Sequence, residues 1–156
     1  MNKILFTLNL KEDKKEIFKV LKNYANAIAC RTSFDDETKI EELNEIIYFG
    51  QDEYGIDYYY VIWRGDVACY GGSGTIAYYI TEVFRYSDRY YKRFYVNNIP
   101  VFEAKVLSNL KKVGDKLEVV VHSLNKDDSD CCHSLLETYI LAKDEVSGKW
   151  SAIIKK

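Results

Sequence analysis

Within seven residues, Cys69-Tyr70-Gly71-Gly72-Ser73-Gly74-Thr75 collects a thiol, hydroxyls and three glycines. Backbone amides of a glycine loop at a helix N-terminus hold anions and lower the pKa of a neighbouring thiol. The motif nevertheless departs from each familiar chemistry. A cysteine phosphatase needs arginine six positions after its cysteine, where this chain has Thr75. A nucleophile elbow needs a last glycine at that same position, and a Walker loop needs lysine where Gly74 stands. Two readings follow. One is a flexible helix entrance behind a buried Cys69. The other is a nucleotide or anion site using Gly72, Ser73 and Thr75, with Arg85 or Arg89 supplying charge.

The only histidines are His122 and His133. A hairpin register that pairs them would bring Cys131, Cys132 and the aspartates 127, 128 and 130 close by, so His122, His133 and Cys132 are the candidate metal ligands. Their spacing matches no standard metal motif, and a solvated polar loop accounts for the same residues. No cofactor is implied. Arg85, Arg89, Lys92 and Arg93 interleave with Tyr86, Tyr90, Tyr91 and Tyr95. Aromatics beside cations suit single-stranded nucleic acid, a nucleotide or a protein hot spot, and equally a helix that solvates its charged side.

Several elements must position these residues. Residues 3–8 alternate weakly and read as a short strand. Ile17, Val20, Leu21, Tyr24, Ala27 and Ile28 fall at helical spacing, which predicts an amphipathic helix over 10–29. Ser33 and the acids 35–37 cap a second helix that carries Ile40, Leu43, Ile46 and Ile47 and ends before Gly50. Residues 58–63 and 67–70 flank Arg64-Gly65-Asp66 as a hairpin, a turn rather than an adhesion tripeptide. Ile76, Ala77, Ile80, Val83 and Phe84 recur at three and four, which predicts a third helix over 75–92. From Phe94 the pattern alternates, with turns at Gly114-Asp115 and Ser147-Gly148 and a longer loop at 126–130, so four strands form an antiparallel meander.

The chain of 156 residues, 47% hydrophobic and 29% charged, reads as one domain over 1–156. A net charge of −2 with no basic tract argues against a duplex-DNA binder. That total hides nine acids and one lysine between Asp35 and Asp57, against eight bases and three acids between Arg85 and Lys116. Such opposed surfaces favour association. Residues 4–10 begin like a signal peptide but are interrupted by Asn9 and followed by a charged run, and no stretch is long and apolar enough to span a membrane. Four irregularly spaced cysteines then read as reduced, and the expected location is cytoplasmic.

The order helix, helix, hairpin, helix, four-strand meander implies an α+β fold and carries a resemblance whose implied architecture is N-terminal helices packed on a curved, cone-like antiparallel sheet. With the apolar stripe of the first helix, Gly74-Thr75-Ile76 and the segment Ser147-Gly148-Lys149-Trp150-Ser151-Ala152-Ile153, it resembles the nuclear transport factor 2-like superfamily, which includes ketosteroid isomerase and SnoaL-type cyclases. The resemblance implies a cavity that Tyr24, Asp57, Tyr58, Tyr60 and Trp63 would line, of which Tyr58, Tyr60 and Trp63 are the candidate ligand contacts; it assigns no catalytic residue. Three functions stay open. The first is a non-catalytic binding domain, a homodimer that takes a protein partner or a small ligand, such as an immunity or phage anti-defence protein. The others are a nucleotide or anion binder and an Asp/Tyr acid–base pocket enzyme.

Overall fold

Between Lys3 and Ile28 no glycine or proline stops a helix, and one helix, α1, occupies the whole stretch. The computed structural model describes residues 3–71, 75–87, 92–97, 99–129 and 132–155, with side chains from Glu12 onward. Gly72, Ser73 and Arg89 of the expected ligand site, and Cys131, lie outside the described residues. Residues 3–8 are helical rather than a strand. The helix buries Ile17, Phe18, Leu21 and Ala25 and passes directly into β1 (Ala29–Thr32); of the face read from spacing, Ile17 and Leu21 are buried, Val20, Tyr24 and Ile28 pack partly against the core, and Ala27 is exposed.

The expected second helix is reduced to a 3-10 turn (Glu37–Lys39), entered through an Asp36 cap, and one turn of α2 (Ile40–Leu43). Ile46 to Phe49 go instead into β2 (Glu45–Gln51), because β-branched and aromatic residues find a pairing edge on β3 (Asp57–Val67). Strand β3 runs straight through Arg64-Gly65-Asp66, so the expected hairpin does not form. Gly65 serves close approach rather than a turn. A Cβ there would fall 2.7 Å from the Trp63 ring and 3.2 Å from the Arg31 carbonyl oxygen of β1.

The expected third helix is also a strand, β4 (Ala77–Ser87), paired antiparallel to β3 from Asp57↔Arg85 to Gly65↔Ala77. Both strands are covered on both faces, so their apolar residues neither alternate nor keep a true helical period. On one face Tyr59, Val61, Trp63, Ala77, Tyr79 and Val83 pack under α1. On the other, Tyr60, Ile62 and Ile80 meet Leu107, Leu110, Leu117, Val119, Val121 and Leu141 of a second sheet.

The first sheet is completed by β1 and β2 beside β3 and by β5 (Lys92–Val96) and β6 (Phe102–Ala104) beside β4. The second is a four-strand meander, β7 (Val106–Val113), β8 (Lys116–Ser123), β9 (Leu135–Lys143) and β10 (Trp150–Ile154); its last three strands are the expected ones, whereas residues 94–96 and 102–104, expected to begin it, pair with β4 in the first sheet and β7 takes their place. The protein is therefore α+β, one long helix and two antiparallel sheets, with the first sheet between the helix and the meander.

Cys30 and Cys69 form a disulfide across 39 residues, and Cys132 is disulfide-bonded as well, against the expectation of reduced thiols. Cys69 is exposed rather than buried. Such bonds are not typical of the cytosol and lend the cytoplasmic expectation no support. Among the described residues no helix is long and apolar enough to cross a membrane.

Candidate functional site

Alternate turns of a meander lie at the same end. The β7–β8 and β9–β10 turns therefore sit together, and the β2–β3 loop joins them to frame a groove of about 770 Å³ between the two sheets. Each connection is shaped by its own aspartate or glycine. In the β2–β3 loop, Asp52 Oδ1 accepts the Tyr54 and Ile56 N–H groups, both at 2.9 Å, and Oδ2 accepts the Tyr58 hydroxyl at 3.1 Å. In the β9–β10 turn, Asp144 Oδ1 accepts Val146 N–H at 2.9 Å and Ser147 N–H at 2.7 Å. Gly55, Gly114 and Gly148 take positive φ angles of 80°, 62° and 70° that a side chain would strain. Burial raises the Asp52 pKa, but the hydrogen bonds from Ile56, Tyr54 and Tyr58 hold it below the ordinary value; those from Ser147 and Val146 lower that of Asp144. Both stay ionised at neutral pH.

Behind these loops lies an aromatic cluster. Phe49 meets Tyr60 edge-on at 5.1 Å, and Trp150 stands edge-on to Tyr60 at 5.3 Å and to Phe49 at 6.1 Å. Two lysines lie over ring faces in cation–π contact. Lys112 Nζ is 5.0 Å above Phe49 and donates to the Phe49 carbonyl at 2.6 Å. Lys143 Nζ is 4.9 Å above Tyr58 and 3.3 Å from Glu82 Oε2, which also accepts the Tyr60 hydroxyl at 2.7 Å. Glu82 is a buried carboxylate, so this lysine and hydroxyl are what make its burial tolerable. Burial and then the bond to Asp52 push Tyr58 up to about 12; burial, reinforced by Glu82, raises Tyr60 as well. Both hydroxyls are held protonated as donors.

Of the residues expected to contact ligand, Tyr58 and Tyr60 line this groove. Trp63 does not, because strand alternation turns it under α1, where it is fully buried, stacked 4.9 Å from Tyr79 and bonded to Thr81 Oγ1 at 2.8 Å. Arg85 and Asp57 lie on that face too. The Arg85 guanidinium donates to Asp13 at 2.7 Å and, through Nε at 3.0 Å and through Nη2, to Asp57. Tyr59 and Tyr48 donate to Asp13 and Asp57 at 2.9 and 2.7 Å.

Thr75 precedes β4 at the end of the β3–β4 pair remote from Tyr58, and β4 supplies no helix N-terminus, so the anion reading loses the dipole on which it rested. The register sets His122 opposite Leu136 rather than His133, and no group of three or more metal-ligating side chains occurs among the described residues. A second cleft, of about 550 Å³ beside α1, faces Lys15, Lys19 and Lys22 with Glu37, Glu41 and Glu42; its charges cancel, and Lys22 already pairs with Glu37 at 2.7 Å.

Phe49, Asp52, Glu82, Lys112, Lys143 and Trp150 escape a reading of the sequence for site residues. The signal available was the Asp/Gly content of three connections, Asp52–Gly55, Gly114–Asp115 and Asp144–Gly148, combined with the parity of the meander. No protein-family model, curated protein or solved structure matches the chain.

Proposed function

We propose that the protein is a small non-catalytic binding domain that recognises a protein partner through the groove at the loop end of its two sheets. The observation that carries this is three connections set around an aromatic cluster, two of them braced by Asp52 and Asp144 and the third a tight turn on Gly114, a rigid scaffold presenting loops. An acid–base enzyme is less well supported. Asp57 is bound by Arg85 and Tyr48, and Glu82 by Lys143 and Tyr60, which leaves neither carboxylate as a free base. Kinship with the nuclear transport factor 2-like cone remains part of the proposal, supported by the long first helix and the four-strand meander. So does homodimer formation, which would cover the exposed Leu136 and Ile153 of the meander and is tested by light scattering.

The deciding experiment is partner capture followed by hydrogen exchange on the complex. Protection of amides in 51–56, 114–116 and 144–149 is the expected result. Protection confined to the α1 face or to the β8–β9 loop would overturn the assignment of the groove.

A further inference from the structure

We propose that the occupant of the groove is a lysine- or arginine-bearing segment of the partner, whose cation lies on the Tyr54 ring among the acidic turns; this rests on the groove being the binding surface. The groove is lined by Asp52, Glu53, Asp115, Asp144 and Glu145 against Lys112 and Lys143, so five carboxylates and two ammonium groups leave −3. Among the described residues none of the five carboxylates makes an ion pair. Both lysines are already engaged, Lys143 by Glu82 and Lys112 by a main-chain carbonyl, so they are poorly placed to receive an anion. The field that a partner meets is negative, and carboxylates on the rim of a concave surface focus it.

The aromatic faces separate a protein segment from a small amine. Phe49 and Tyr58 each already carry a lysine ammonium, so a small cation finds those ring faces taken. Tyr54 is 79% exposed and is held at the tip of the β2–β3 loop by its N–H bond to Asp52. A cation on that ring is flanked by Asp52 and Glu53, and a chain carrying it crosses the rim toward Asp115 and Glu145. Exposed tyrosine within an acidic rim is the composition of a hot spot for a basic side chain.

The test uses fluorescence anisotropy of the whole protein with short labelled peptides of alternating arginine and serine, or glutamate and serine, and with spermidine as competitor. The arginine peptide should bind, more weakly as salt rises. Tyr54→Ala should weaken it about two- to fivefold. Glu53→Gln with Glu145→Gln should weaken it further, while Glu41→Gln with Glu42→Gln, acidic but remote, should leave it unchanged. The altered side chains are exposed, and unchanged melting will confirm that the variants fold. An equal loss in the remote pair would reduce the effect to general charge attraction and overturn the proposal. Tighter binding of the glutamate peptide, still dependent on Tyr54, would overturn the charge assignment while leaving the groove as the surface. Spermidine binding with the same dependence on Tyr54 would make the ligand a small amine and overturn the protein segment. Binding of the arginine peptide that ignores Tyr54, with exchange protection elsewhere, would remove both this inference and the groove.

Discussion

Arg85 stands between Asp13 and Asp57, two carboxylates only 4% and 3% exposed, and is the single cation that pairs with either among the described residues. Breaking a buried ion pair from one side leaves an uncompensated charge and typically costs about 3–5 kcal/mol. Arg85→Met should fall toward the lower figure, because Tyr59 and Tyr48 still donate to the two acids. Adding Asp13→Asn should restore part of the loss. Urea denaturation measures both, and a penalty under about 1 kcal/mol would show that the tyrosines alone carry the acids. The tyrosines also determine behaviour in alkali. Tyr48 is pushed up to about 12 by burial and by its bond to Asp57, and Tyr58 to about 12 by burial and by its bond to Asp52, from 10.0 in the open chain. Above pH 10 the unfolded chain releases protons that the folded chain keeps, so unfolding is favoured as pH rises. Stability from these groups should be fully present below pH 10 and lost between 10 and 12, with a smaller loss in Tyr58→Phe. A urea midpoint constant across that window would contradict the assignment.

Among elements, the β2–β3 connection is held chiefly by Asp52, which accepts two loop amides and the Tyr58 hydroxyl, with one further bond from Gln51 Nε2 to the Gly55 carbonyl at 3.1 Å. Asp52→Ala should cost about 1–2 kcal/mol. Amide exchange should rise at residues 53–56 while the β3 and β4 amides stay protected; equal loosening of the whole first sheet would show that the loop is not an independent unit. The elements also differ in how legible they were. Helix α1 was readable because Ile17 and Leu21, four residues apart, face a core while the opposite side is solvated, so the period of burial is the period of the helix. Strand β8 was readable for the matching reason at period two, with Leu117, Val119 and Val121 on the core and a left-handed glycine, Gly114, at the turn before it; β7 was not, because a register shift after Leu107 leaves its buried Leu107 and Leu110 three apart. Strand β4 was not, because Ile80 packs on the meander while Val83 packs under α1; burial on both faces removes the period that would distinguish strand from helix. Arg64-Gly65-Asp66 carried turn residues into the C-terminal part of β3, where Gly65 is required by the approach of Ala29 and Arg31.

At the scale of the molecule, the Cys30–Cys69 disulfide ties the junction of α1 and β1 to the connection leaving β3. Closing a loop of 39 residues should stabilise the protein by about 4 kcal/mol through the entropy of the unfolded chain. Cys30→Ser with Cys69→Ser should lower the urea midpoint accordingly and retain the fold, because the α1 core and the sheet-to-sheet core are both assembled without the cysteines. Loss of cooperative unfolding in that variant would show that the cross-link organises the core. Local chemistry was enough to specify the α+β class, the first helix and the last three strands of the meander with their connecting turns, since propensity, period and turn residues agree there. The sandwiching of β3 and β4, the pairing of cysteines far apart in sequence, and the division of neighbouring residues, Tyr58 and Tyr60 to the groove but Tyr59 and Trp63 to the helix, arise only when the layers close. Each depends on what covers a given face, and that cover comes from residues distant in the chain.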